Sequence, residues 1–144
     1  MAKVVGFILI LLILAVPLGV LEFLSTHSVL SFDPVPKAIG EATTVDVRIA
    51  NPHGARRVAA FVEQNGSRIA LTETKQPANR FTFWRAHLAP EKFQFIAGRS
   101  KAPALKEGKA RLVVEAESND LRGSTDSTAA DVEVIFRPPS VTTD

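Results

Sequence analysis

The chain has 144 residues, with 17 Lys and Arg against 15 Asp and Glu, and no cysteine. The basic residues are spread along the chain, whereas a nucleic-acid-binding module gathers them on one face or stripe. The missing thiols exclude disulfides, thiolate zinc sites and cysteine catalysis.

The first element decides topology. Val4 to Leu21 is a run of 18 residues without a charge or a strongly polar side chain. As a helix it covers roughly 27 Å, close to the hydrocarbon thickness of a bilayer. Pro17 is tolerable in such a helix, and Phe23 and Leu24 extend it past Glu22. Lys3 and the α-amino group precede the run, and the next basic side chain among Lys and Arg is Lys37. That bias predicts a cytoplasmic N-terminus and export of everything after Glu22. A cleaved signal peptide would begin in the same way. Against it, the run exceeds the usual h-region, and Thr26-His27-Ser28 is a poor small-x-small cleavage site. The sequence therefore divides into a signal-anchor transmembrane helix (1–24), a short juxtamembrane segment (25–28), a β domain (29–137) and a Pro-rich linker (138–144) expected to lead into a further domain.

Beyond the anchor the hydrophobic period is two. Val45, Val47 and Ile49 alternate with Asp46 and Arg48, and Val58, Ala60 and Val62 follow, with Ala59 and Phe61 apolar on the other face. Phe81 and Phe83, then Phe93 and Phe95, flank single polar residues. Leu112, Val114 and Ala116 alternate with Arg111, Glu115 and Glu117, and Val132, Val134 and Phe136 with Asp131, Glu133 and Arg137. This is the pattern of strands with one buried and one wet face. Asn51-Pro52-His53-Gly54 and Asn65-Gly66 separate the runs, and Asn-Gly suits the two positive-φ positions of a type I′ hairpin. With Val29 to Asp33 as a first edge strand, the count is seven or eight. The expected fold is an immunoglobulin-like antiparallel β-sandwich after one transmembrane helix, with Trp84 and the phenylalanines filling the core. A small barrel is the alternative. Gly98 to Lys109 reads as a loop or an irregular strand pair, and Ser118 to Ala130 as a long hairpin loop.

Catalytic signatures are sparse. His27, His53 and His87 do not pair at metal-ligand spacing, no Gly-x-Ser-x-Gly elbow occurs, and there is no glycine-rich phosphate loop. His27 reads as solvated at the membrane exit and His53 as a turn residue. Asn119, Asp120, Asp126 and Asp131 offer oxygen ligands for calcium, but their spacing is not that of an EF-hand, and Asx side chains capping their own backbone, with Gly123 allowing a positive φ, are the favoured reading. Arg56 and Arg57 form a small basic pair, read as protection of a strand edge or as a contact for an acidic polymer or lipid head group. The candidate binding loops thus offer His53, Arg56, Arg57, Asn119, Asp120 and Arg122, with no catalytic or metal-ligating residue and no cofactor assigned.

Several segments together resemble a known family: the anchor, Asn51-Pro-His-Gly-Ala-Arg-Arg57, Glu63-Gln-Asn-Gly66, Leu105 to Ala116, Ser118-Asn-Asp-Leu-Arg-Gly123 and Arg137-Pro-Pro139. They are similar to the non-catalytic N-terminal region of bacterial envelope peptidases of the lysostaphin (LytM) type, zinc enzymes that cut peptidoglycan cross-bridges. The resemblance implies a single-pass protein of a bacterial inner membrane, with its β domain periplasmic or extracellular. Its implied partners are membrane lipid through the helix and peptidoglycan or another envelope protein. The His-x-x-x-Asp and His-x-His zinc motifs of that family are absent from this sequence, so the resemblance transfers no zinc or catalytic role to it. The expected function is an accessory or positioning module. The alternatives are a structural or partner-binding subunit of an envelope complex and a small exported hydrolase.

Overall fold

The computed structural model describes residues 1–136. Helix α1 (Ala2–Leu24) contains the whole apolar run, and none of its residues is buried against the rest of the chain. A helix of this length spans roughly 34 Å, enough to cross a bilayer core. Among the described residues eight strands follow: β1 (Val29–Phe32), β2 (Ala38–Ile39), β3 (Thr43–Ala50), β4 (Ala55–Gln64), β5 (Ser67–Lys75), β6 (Glu91–Ala97), β7 (Gly108–Ser118) and β8 (Thr125–Val134). They form a three-stranded sheet, β1-β3-β6, and a five-stranded sheet, β2-β8-β7-β4-β5. Pairing is antiparallel except between β2 and β8. One of the two sheets curls into a half-barrel.

Period two sends the expected side chains inward. Val45, Val47 and Ile49 of β3 meet Val58, Ala60 and Val62 of β4, Leu112, Val114 and Ala116 of β7, and Val132 and Val134 of β8 in one core. Full burial of each Val or Leu there contributes about 1.5–3 kcal/mol. Asn65 and Gly66 have φ of 51° and 77°, and the turn they make pairs Gln64 with Ser67. This is the hairpin that the Asn-Gly pair predicts.

Several expectations are corrected. Phe81 to Phe83 is not a strand: Phe83–Arg85 is a short 3-10 turn in the segment between β5 and β6. Trp84 does not fill the core; it is 45% exposed, and Phe81 is 64% exposed. A single Phe-x-Phe alternation is too short a pattern to specify a strand, and here the segment turns instead, with Phe83 inward and Phe81 and Trp84 outward. Two-residue β2 takes the eighth place; it is too short to leave a periodic signal. The segment after β7 is no long loop, because Thr125 already begins β8 and pairs with Glu117. Its polar residues mark a strand with a wet face. Arg56 and Arg57 do not guard a sheet edge, since β4 lies between β7 and β5. The proposed linker, 138–144, and Arg137 lie outside the described residues.

Candidate functional site: the junction of helix and β domain

The most connected polar cluster lies where α1 meets the β domain. It is built from the 25–28 segment, the β3–β4 turn and the β7–β8 loop. Asn51 ends the β3 ladder and is buried, which obliges its amide to find partners. Its Nδ2 donates to Ser28 Oγ and Ser118 Oγ, both at 2.9 Å. Its Oδ1 accepts from the His53 backbone N–H at 2.9 Å and from Thr26 Oγ1 at 3.2 Å. All four hydrogen-bonding positions of the amide are therefore used.

Asp120 is fully buried. Its Oδ2 accepts from the Thr26 N–H at 2.9 Å and from Ser118 Oγ at 2.6 Å, and its Oδ1 from the Gly123 N–H at 2.8 Å. Burial pushes the carboxyl pKa up, but the Ser118, Gly123 and Thr26 donors and nearby His53 outweigh it, so the net shift is downward. Asp120 is thus a buried carboxylate, and three bonded donors make that tolerable. His53 Nδ1 lies 3.2 Å from Thr26 Oγ1 and 4.0 Å from Asp120 Oδ2. The Thr26 hydroxyl thus lies within hydrogen-bond distance of both Asn51 Oδ1 and His53 Nδ1. The His53 side chain is 9% exposed. Burial lowers its pKa, the Asp120 charge opposes that, and His87 adds to the lowering.

A second set of bonds grips the helix end. Arg122 Nε meets Glu22 Oε1 at 2.7 Å, and its Nη2 donates to the Glu22 carbonyl at 3.1 Å. This places a cation on the carbonyl end of the helix, the favourable end for the helix dipole. Ser25 Oγ donates to the Leu21 carbonyl at 3.1 Å and accepts from the Arg122 N–H at 3.3 Å. Asp126 holds the Ser28 N–H at 2.8 Å and His27 Nδ1 at 2.9 Å. His27 is therefore paired as well as solvent-exposed, and the 25–28 segment is a bonded connection with Ser25 and Ser28 buried.

The structure brings His53, Asp120 and Arg122 into this junction and places Arg56 and Asn119 at its margin. A β-bulge at the start of β4 leaves Arg56 without a cross-strand partner on β7. Arg56 pairs with Glu117, and its guanidinium packs over Gly123, whose φ of 63° is a conformation that favours glycine. Asn119 Oδ1 accepts from the Asn79 N–H at 2.7 Å, which ties the β5–β6 segment to the same end. Arg57 is directed elsewhere and pairs with Glu73. The four calcium candidates do not converge. Asn119, Asp120 and Asp126 each serve different donors, and Asp131 faces Arg111 across the β7–β8 ladder. Among the described residues, no group of three or more His, Asp or Glu side chains has an arrangement suited to a metal ion. Thr26, Ser28, Asn51 and Ser118 complete the network and are not among the binding residues expected from sequence. Their only advance signal was polar residues at strand ends, which most turns share.

An open groove of about 560 Å³ lies at the opposite end of the strands. Lys37, Lys109 and Arg111 alternate there with Glu63, Asp131 and Glu133, so no single charge dominates. No protein-family model matches the chain, and no curated protein matches it.

Proposed function

We propose that this chain is a membrane-anchored, exported positioning module. In this reading α1 spans a bacterial inner membrane with its N-terminus in the cytoplasm. The two sheets form an immunoglobulin-like sandwich on the outer side. The module holds the accessory position seen in the lysostaphin-type peptidases it resembles, with the zinc chemistry on another domain or protein. The supporting observation is the junction. A simple tether needs only a flexible linker, yet here Glu22, Ser25, Thr26 and Ser28 are all bonded to residues 118–126 or to Asn51. Such bonds fix the attitude of the domain relative to the helix, which is what positioning a partner requires.

Two measurements test the reading together. The chain carries no native cysteine. A single Ser67→Cys in the β4–β5 hairpin is expected to react with a membrane-impermeant maleimide in intact spheroplasts, while the protein resists carbonate extraction. Labelling only after lysis would overturn the topology. Purified chain incubated with murein sacculi and zinc is expected to release no muropeptides. Chelator-sensitive release, lost in His53→Ala or His87→Ala, would make it an enzyme in its own right.

A further inference from the structure

The β5–β6 segment, residues 76–90, is explained neither by the core nor by the junction alone. It exposes three large apolar side chains: Phe81 at 64%, Trp84 at 45% and Leu88 at 56%. The 17 residues between Glu73 and Glu91 include Lys75, Arg80, Arg85 and His87 and no acidic residue. Apolar and aromatic side chains exposed together in water carry a cost unless something covers them.

Its place in the fold indicates what covers it. The segment is fastened to the same loops that grip the helix end. The Leu88 N–H donates to the Pro52 carbonyl at 2.9 Å. Asn119 accepts from the Asn79 N–H at 2.7 Å and donates to the Pro77 carbonyl at 3.1 Å. Phe83 is fully buried and meets the His53 ring edge-on, with centroids 4.7 Å apart. One imidazole thus separates Phe83 from Thr26, two residues past the helix. The segment is a braced projection beside the point where α1 leaves the β domain, and buried Phe83 acts as its pin. Trp84 Nε1 donates to the Phe81 carbonyl at 3.2 Å, and the Arg85 guanidinium lies 5.1 Å from the Trp84 ring. A Trp with its polar edge satisfied, flanked by cations, has the chemistry of a membrane–water interface.

We propose that this segment is a second membrane contact: Phe81, Trp84 and Leu88 enter the interfacial layer of the leaflet from which α1 emerges, and Arg80 and Arg85 lie against anionic head groups. The proposal rests on α1 spanning the membrane. It adds a second point of attachment, which would fix the tilt of the domain as well as its distance from the bilayer. Charge supports a lipid surface, because the acid-free segment complements anionic phosphates. Continuity supports it too: with α1 in the membrane the bilayer surface would lie near Phe23 and Leu24, and the Phe83–His53–Thr26 contacts tie the segment to the residues that follow them.

Trp84 is the only tryptophan and there is no tyrosine, so indole emission reports this one position. The full chain would be assembled into nanodiscs of phosphatidylglycerol and phosphatidylcholine, the latter brominated near the head-group end of its acyl chains. The expected result is blue-shifted emission, quenching by the brominated lipid and shielding from aqueous acrylamide. Phe81→Ser with Leu88→Ser, and separately Arg80→Gln with Arg85→Gln, should reduce the lipid quenching. Discs of phosphatidylcholine alone should weaken it as well. If the chain enters the discs while Trp84 stays open to acrylamide and unquenched by lipid, the second contact is refuted and the anchor stands. Shielding from acrylamide without lipid quenching would mean that protein covers the segment, and would also refute it. A chain that does not enter the discs refutes anchor and contact together.

Discussion

At the scale of single residues, the junction depends on Asn51 and Asp120. Asn51→Ala leaves Ser28, Ser118, Thr26 and the His53 amide short of partners in a buried setting. The expected loss of stability is about 2–4 kcal/mol, read as a lower midpoint in thermal or denaturant unfolding of the purified chain. A loss below about 0.5 kcal/mol would mean that water replaces the amide freely. The network also predicts a pH response. The folded-state pKa of His53 is lowered, chiefly by burial, from an unfolded value near 6.5. Its contribution is complete above that value and is lost as pH falls through the folded pKa, because the unfolded chain then binds the proton more readily. Asp120 is also lowered, so its contribution is present above the unfolded carboxylate value and is lost only in stronger acid. Thermal midpoints should therefore decline as pH drops below about 6.5, and His53→Gln should flatten the first part of that decline. An unchanged profile in His53→Gln would remove the histidine from the account. Little of this was legible in advance. A Ser, an Asn or an Asp at a strand end is ordinary turn chemistry, and only the three-dimensional meeting of residues 26, 51, 53, 118 and 120 makes a network.

At the scale of elements, alternation was the most informative signal, and it failed where it was thinnest. In β7 it places Val114 inside and Glu115 outside, and the structure buries Val114 fully while Glu115 pairs with Arg68. Val114→Asp is expected to unfold the domain, since an unpaired charge in that core costs several kcal/mol against a total stability of roughly 5–15 kcal/mol. Glu115→Lys should cost no more than about 1 kcal/mol, the scale of an exposed ion pair. Equal damage in far-ultraviolet circular dichroism melts would contradict the observed register. The long runs of β3, β4 and β7 carried enough repeats to be read. Phe81-Thr82-Phe83 offered a single alternation, and a 3-10 turn with one buried and one exposed phenylalanine satisfies it equally. β8 was half hidden because its first residues, Thr125 to Thr128, are small and polar on both faces. They pair with Val114 to Glu117 through backbone bonds, which no side-chain pattern announces.

At the scale of the whole molecule, the apolar helix and the β-rich domain were visible from composition and period, but their connection was not. Sequence marks 25–28 only as a short juxtamembrane segment, whereas the structure has it bonded through Ser25, Thr26 and Ser28, with Glu22 bonded beside it. That difference separates a tethered domain from one held in a set orientation, and the proposed function depends on it. With no native cysteine, spin labels can be placed at will. Val20→Cys on the helix and Ser67→Cys at the far hairpin are both at exposed positions. Pulsed electron paramagnetic resonance on the doubly labelled full chain in nanodiscs should give one narrow distance distribution. It should broaden when Arg122→Ala and Asp120→Asn are added together. A distribution already broad in the otherwise unaltered chain, and unchanged by those substitutions, would show a domain swinging on a linker and would contradict the account.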